Sequence, residues 1–213
     1  MKLYLSSYRI PVVDALVSLV GIPINQIKIA VIPNAKDYYA ERAQNYKMQD
    51  ILSYQQNKGF THSEIIDLRD FTYKGKLKER LKKYHIVWAV GGNSFCLRQE
   101  MKRSGFDAII ARLLEEGVVY AGDSAGAVVA GTSLRGIESA DIPAFAEEAI
   151  YDGMALIPKI IIPHADNQYF QDANNQTRSL FPVSEIIDLT DAQALVINGN
   201  ESNIVAADTA EIS

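Results

Sequence analysis

A serine stands between two glycines in Gly122-Asp123-Ser124-Ala125-Gly126, after the apolar run Val118-Val119-Tyr120-Ala121 and before Ala127-Val128-Val129-Ala130. The first run reads as a buried strand and the second as the start of a helix. At such a strand-to-helix turn the small flanking residues permit a tight backbone and push the serine hydroxyl outward. The free N–H groups of the helix start then favour a developing oxyanion. A serine becomes a nucleophile at neutral pH only with a base in reach, and histidine is the usual one.

The chain has 3 histidines. His62 lies in the polar stretch Thr61-His62-Ser63-Glu64, where a solvated side chain is expected, and His85 begins a strand at the end opposite to the Gly91 turn. His164 follows the apolar strand Ile160-Ile161-Ile162 and Pro163. It therefore emerges at a strand's C-terminal end, the edge at which sites assemble in open α/β sheets. His164 is the expected base.

A carboxylate should orient the imidazole, but acidic residues are too common for spacing to choose one. Glu138 and Asp141 lie in the loop after the serine's helix, and Glu201 lies in a turn near the C-terminus. Glu201 is favoured slightly over Asp141, because a turn between strands is the more rigid platform. The turn Val90-Gly91-Gly92-Asn93-Ser94-Phe95 ends a strand and opens a helix, so its N–H groups are candidates for the second half of an oxyanion hole beside that of Ala125. It carries neither the dinucleotide glycine pattern nor the phosphate-binding lysine of a P-loop, which argues against a nucleotide.

The elements that must position these residues alternate. Apolar runs at Leu3-Tyr4-Leu5, 27–32, 65–68, 86–90 and 118–121 read as strands, and the segments 12–20, 39–57, 77–84, 95–102 and 106–116 have helical spacing. This is the pattern of a three-layer, doubly wound, mostly parallel sheet. Beyond the serine, 159–162 reads as a strand and 167–180 as a polar helix. The close runs 185–189, 194–197 and 203–206 predict an antiparallel meander closing one edge of the sheet. The stretch 134–157 lacks clear periodicity and is expected to border the site.

At 213 residues and 48% hydrophobic content the chain suits one α/β domain over 1–213. A net charge of -5 without a basic block argues against a nucleic-acid partner. The basic run from Lys74 to Lys83, interleaved with Leu77 and Leu81, reads as a solvated helix face. No apolar run reaches membrane-spanning length and the N-terminus does not resemble a signal peptide, so a cytoplasmic protein without membrane contact is expected. Cys96 is the 1 cysteine, so neither an intrachain disulfide nor a cysteine-based zinc site is available, and beside Phe95 and Leu97 it reads as a core residue.

The glycine turn at 91–95, the Gly122-x-Ser124-Ala125-Gly126-Ala127 elbow and the Pro163-His164 pair, in that order, resemble peptidase family S51. These are the serine peptidases grouped with dipeptidase E and cyanophycinase, and the resemblance runs from Leu3 to about Val205. It implies a class I glutamine amidotransferase-like fold with Ser124 as nucleophile, His164 as base, and Gly92 and Ala125 as oxyanion donors. The acid it implies is either Asp141, in the loop Asp141-Ile142-Pro143, or Glu201. The aspartyl dipeptidase branch has an arginine for the substrate's N-terminal aspartate at a position similar to Arg178. Asn93, in the glycine turn, is a further candidate for substrate binding. Asp123 departs from that branch, which has tryptophan there.

The function read from the sequence is a cytosolic serine peptidase acting on short peptides, with an N-terminal acidic residue as one substrate class. It implies no metal or organic cofactor. Its partner is a small peptide substrate, and a homodimer is left open. The rival readings are an α/β-hydrolase-type esterase and a noncatalytic amidotransferase-like binding domain.

Overall fold

The computed structural model describes residues 1–71 and 74–207. In chain order its regular elements are β1 (Lys2–Ser6), α1 (Val13–Val20), β2 (Lys28–Ile32), α2 (Glu41–Asn57), β3 (His62–Ile65), α3 (Lys74–Leu81), β4 (Ile86–Ala89), α4 (Ser94–Arg103), α5 (Phe106–Glu115) and β5 (Val119–Asp123). They continue with α6 (Ala125–Val128), β6 (Ile160–Ile162), α7 (Gln171–Leu180), β7 (Ile186–Asp188), β8 (Gln193–Asn198) and β9 (Glu201–Ala206).

Among the described residues seven strands form one sheet in the order β3-β2-β4-β5-β1-β8-β9, parallel from β3 to β1 and antiparallel across β8 and β9. The central strands are apolar along their middles, as in Leu3-Tyr4-Leu5 and Ile29-Ala30-Val31-Ile32, because both of their faces are covered, and successive side chains go to opposite sides. Leu3, Leu5, Ala30, Ile32, Val87, Ala89 and Tyr120 join one core, with Leu77 of α3, Phe95 and Met101 of α4 and Leu113 of α5. Tyr4, Ile29, Val31, Trp88 and Ala121 join the other, with Leu16 and Leu19 of α1 and with Ile51 and Leu52 of α2 packed against it. This is the three-layer doubly wound architecture.

Two elements differ from the sequence expectation. The edge strand β3 covers the polar His62–Ile65 rather than 65–68, and Leu68 begins a short 3-10 turn. An edge strand has one neighbour and solvent on its far side, so it tolerates the alternation of polar residues that the apolar-run criterion passes over. The predicted three-run meander has only two members in the main sheet. The run at 185–189 instead supplies β7, which pairs in parallel with β6 as a separate two-stranded sheet, Ile160↔Ile186 through Ile162↔Asp188. The cause is α7: a helix between two strands returns the chain in the same direction, which makes the pair parallel. Strands β8 and β9 then form a hairpin across Gly199, whose φ of 62° is left-handed.

Among the described residues no helix is long and apolar enough to cross a membrane.

Candidate active site

Strands β1, β2, β4 and β5 all end at one edge of the sheet, and the candidate residues gather there. At the end of β5 the chain turns into α6 through Ser124, which has φ 49° and ψ −112°, an unusual backbone for a residue with a Cβ. Steric crowding enforces the turn. A Cβ on Gly122 would come within 2.4 Å of the Gly126 carbonyl, and one on Gly126 within 2.0 Å of Ala89 O. Glycine at both positions lets α6 approach β4 and β5 closely enough for the serine to stand at the bend.

His164 lies two residues past β6, also at positive φ (56°), and only 6% of its surface is exposed. Its Nε2 is 3.0 Å from Ser124 Oγ and its Nδ1 is 2.5 Å from Asp191 Oδ1. The ring stacks on Phe170, with centroids 4.2 Å apart at 17°, and Asn174 of α7 donates to the His164 carbonyl. The polar segment after the histidine is therefore its support. Ser7, fully buried just past β1, completes the frame: it accepts the His164 N–H at 2.6 Å and donates to Asp191 Oδ1 at 2.9 Å.

None of the three predicted carboxylates is hydrogen-bonded to the imidazole. Glu201 opens β9 opposite Asn198, which in turn pairs with Lys2 at the start of β1. It is exposed at the far edge, about 13 Å from the end of β1 at roughly 3.3 Å per residue. Asp141 instead accepts from the Ser94 N–H at 2.8 Å and the Ser94 hydroxyl at 2.5 Å, so it sits at the start of α4. Burial raises its pKa, with the Ser94 hydrogen bonds opposing. Glu138 accepts from the Gly136 N–H in the loop after α6. Asp191 follows β7 as His164 follows β6, but in sequence the run at 185–189 resembles a member of a meander, which conceals that strand end.

The two predicted substrate-binding residues have other partners. Asn93 caps α4, accepting from the Phe95 and Cys96 N–H groups and donating to Ile142 O. Arg178 pairs with Asp188 at 2.8 Å on the outer side of α7 and does not line the cavity at Ser124. His62 is exposed at the start of β3, and His85 Nδ1 accepts from Lys28 N at the opposite edge of the sheet. Cys96 is buried in α4, and that burial pushes its thiol up to about 12, far from a reactive thiolate.

Gly92 and Ser124 line a cavity of about 570 Å³ that is also walled by Tyr8, Arg9, Lys36 and Tyr54. Gly92 has φ 151° and packs so tightly that a Cβ would meet Ala35 O at 2.3 Å. Among the described residues the Gly92 and Ala125 N–H groups have no hydrogen-bond acceptor. Asp123 accepts from Trp88 Nε1 at 2.7 Å and from the Gly91 N–H at 3.2 Å. Its burial beside the serine raises its pKa, against the pull of Trp88 and Lys36. Among the described residues no group of three His, Cys, Asp or Glu side chains is placed to hold a metal.

This arrangement, a hydroxyl on an imidazole on a carboxylate beside free backbone N–H groups, has the parts needed for acyl transfer. The model of peptidase family S51 matches residues 6–205. The chain belongs to peptidase family S51. An uncharacterized peptidase of Listeria monocytogenes is 30% identical over 129 residues, 60% of this chain and 63% of that protein. One of Listeria innocua is 38% identical over 43% of this chain and 44% of its own length. The chain thus spans less than two thirds of these two relatives. A peptidase E of Salmonella arizonae is 33% identical over 47% of this chain and 42% of its own.

The fold is similar along almost the whole chain to the crystal structure of a Listeria monocytogenes protein provisionally named peptidase E. The TM-score is 0.79 at 23% identity, covering 97% of this chain and 98% of that one. Within the S51 fold the order here is serine, histidine, acid, whereas an α/β-hydrolase esterase runs serine, acid, histidine.

Proposed function

We propose that this S51 chain is a serine peptidase that hydrolyses short peptides through Ser124, His164 and Asp191. The carrying observation is the imidazole held between the Ser124 hydroxyl at 3.0 Å and the Asp191 carboxylate at 2.5 Å, in the lining of the cavity. Ser124 Oγ attacks the peptide carbonyl while His164 Nε2 takes its proton, and Asp191 holds the ring by Nδ1 and stabilises the imidazolium. The Gly92 and Ala125 N–H groups receive the oxyanion. Collapse breaks the C–N bond, His164 returns the proton to the leaving amine, and water activated by the same imidazole releases the acyl group from Ser124.

The cavity volume lies in the range of small-ligand sites, which favours a short peptide over a folded chain. With Arg178 engaged by Asp188, a preference for an acidic N-terminus loses the arginine that suggested it. Arg9 pairs with Asp50, Lys36 lies near Asp123, and the lining's cations Arg9, Lys36 and Lys47 are matched in number by its carboxylates Asp50, Asp123 and Asp191, so it offers no surplus positive charge. The proposed substrate is accordingly a short peptide without a required acidic end.

A dipeptide-library screen with wild type and Ser124→Ala tests the proposal. Wild type should turn over a subset of the library, and Ser124→Ala should fold normally and lose at least about 10³-fold in kcat on each of them. Equal turnover by the two proteins would refute the assignment.

A further inference from the structure

The 3-10 turn Asn34–Lys36 follows β2 and packs against the glycine turn after β4. Lys36 reaches across from it, and its ammonium donates to Gly91 O at 2.6 Å. The peptide unit joining Gly91 to Gly92 carries both that carbonyl and the Gly92 N–H. In a planar trans peptide these two groups point in opposite directions, so whatever fixes the carbonyl fixes the aim of the N–H. Glycine on each side otherwise leaves this plane unusually free to rotate.

Other contacts fix where the turn lies. The Asn93 N–H donates to Ala35 O at 2.7 Å, Asp123 accepts from the Gly91 N–H, and Gly92 abuts the Ala35 backbone. Among the described residues, Lys36 is the side chain that acts on the Gly91 carbonyl itself. Lys36 is half-buried at the cavity wall. Burial lowers its pKa below the usual lysine range, and the nearby Asp123 carboxylate favours the charged form against that effect. A charged donor on one end of an amide draws electron density toward the oxygen and makes the N–H at the other end a stronger donor.

We propose that Lys36 is a positioning residue for the oxyanion hole: it holds the Gly91–Gly92 peptide with the Gly92 N–H turned toward the reacting carbonyl at Ser124, and it polarises that N–H. The inference rests on the proposed role of Gly92 as an oxyanion donor. A donor aimed at charge that develops only in the transition state should affect kcat and leave ground-state binding alone. A lysine that instead bound a substrate carboxylate would show the reverse split.

The test compares Lys36→Met, which keeps the stem and removes the ammonium, with Lys36→Arg. Each is assayed on a dipeptide that wild type hydrolyses and on the peptide aldehyde with the same acyl residue, which adds Ser124 Oγ to its carbonyl and places an oxyanion in the hole. Lys36→Met should lower kcat roughly 10- to 100-fold, somewhat less than loss of a whole oxyanion donor. KM should stay within about twofold, and the aldehyde's inhibition constant should rise by the factor by which kcat/KM falls. Lys36→Arg should recover most of both losses.

A raised KM with unchanged kcat, or a fall in kcat with no loss of aldehyde affinity, would overturn the proposal. If Lys36→Met does not fold, Lys36→Arg carries the same comparison, and any deficit in its kcat/KM unmatched by aldehyde affinity counts against the proposal. Full activity in Ser124→Ala would overturn this inference together with the reading of the site. Loss of activity there with an unimpaired Lys36→Met would overturn this inference alone.

Discussion

The two halves of the candidate site are built in different ways. The serine half belongs to the main sheet and is shaped by exclusion: Gly92, Gly122 and Gly126 sit where a Cβ would collide with backbone at 2.0–2.4 Å. The histidine half stands on β6 and β7, outside that sheet, and is held by side-chain hydrogen bonds. Ser7 bridges the His164 backbone and Asp191, Asn174 holds the His164 carbonyl, and Asp166 accepts the Asp191 N–H. Close packing of backbones admits one residue type, so it leaves a pattern of glycines in the sequence. A network of side-chain hydrogen bonds can be met by many polar residues at many spacings, and it leaves no such pattern.

That contrast can be broken by substitutions on each side. On the serine half Gly126→Ala should have the largest effect, because backbone meets the new methyl and neither neighbour can rotate away. A loss of roughly 3 kcal/mol or more in stability is expected, read by urea unfolding. On the histidine half Ser7→Ala should cost about 1–3 kcal/mol, since it leaves the buried His164 N–H without its acceptor. Its kcat should fall roughly 10- to 100-fold through a loosened imidazole, with KM little changed. If Gly126→Ala proves as stable as wild type, or if Ser7→Ala retains full kcat, the division between the halves does not hold.

The smallest effect is expected at Arg178. Its ion pair with Asp188 is 33% and 46% exposed, so solvent screens it, and Arg178→Ala should change stability by less than about 0.5 kcal/mol. KM for acidic and neutral dipeptides should stay the same in that variant. A selective rise in KM for acidic dipeptides would return Arg178 to the substrate site.

The same division explains what the sequence revealed. The elbow at Ser124 and the strand-glycine-helix turn at Gly92 were legible because their constraints are local in the chain and demand glycine. The place of His164 beside Ser124 was legible because an apolar strand delivers it to that edge. The carboxylate that touches the imidazole was not: the place of Asp191 depends on β7 pairing with β6 through α7, a tertiary choice that the short apolar run at 186–188 does not announce. Glu201 and Asp141 are acidic and near turns, yet one lies at the wrong edge and the other serves Ser94. Ser7 and Lys36 were invisible for the same reason, since each acts on residues far away in sequence.

The central claim is that Asp191 completes the catalytic group, and kcat for Asp191→Asn beside Glu201→Gln tests it most directly. With wild type, both variants would be assayed on one dipeptide at saturating concentration, after circular dichroism shows all three folded. Asp191→Asn keeps the side chain's shape but loses the charge that stabilises the imidazolium, so kcat should fall by about 10²- to 10⁴-fold. Glu201→Gln should match wild type. A wild-type kcat in Asp191→Asn, with the loss appearing in Glu201→Gln instead, would contradict the account.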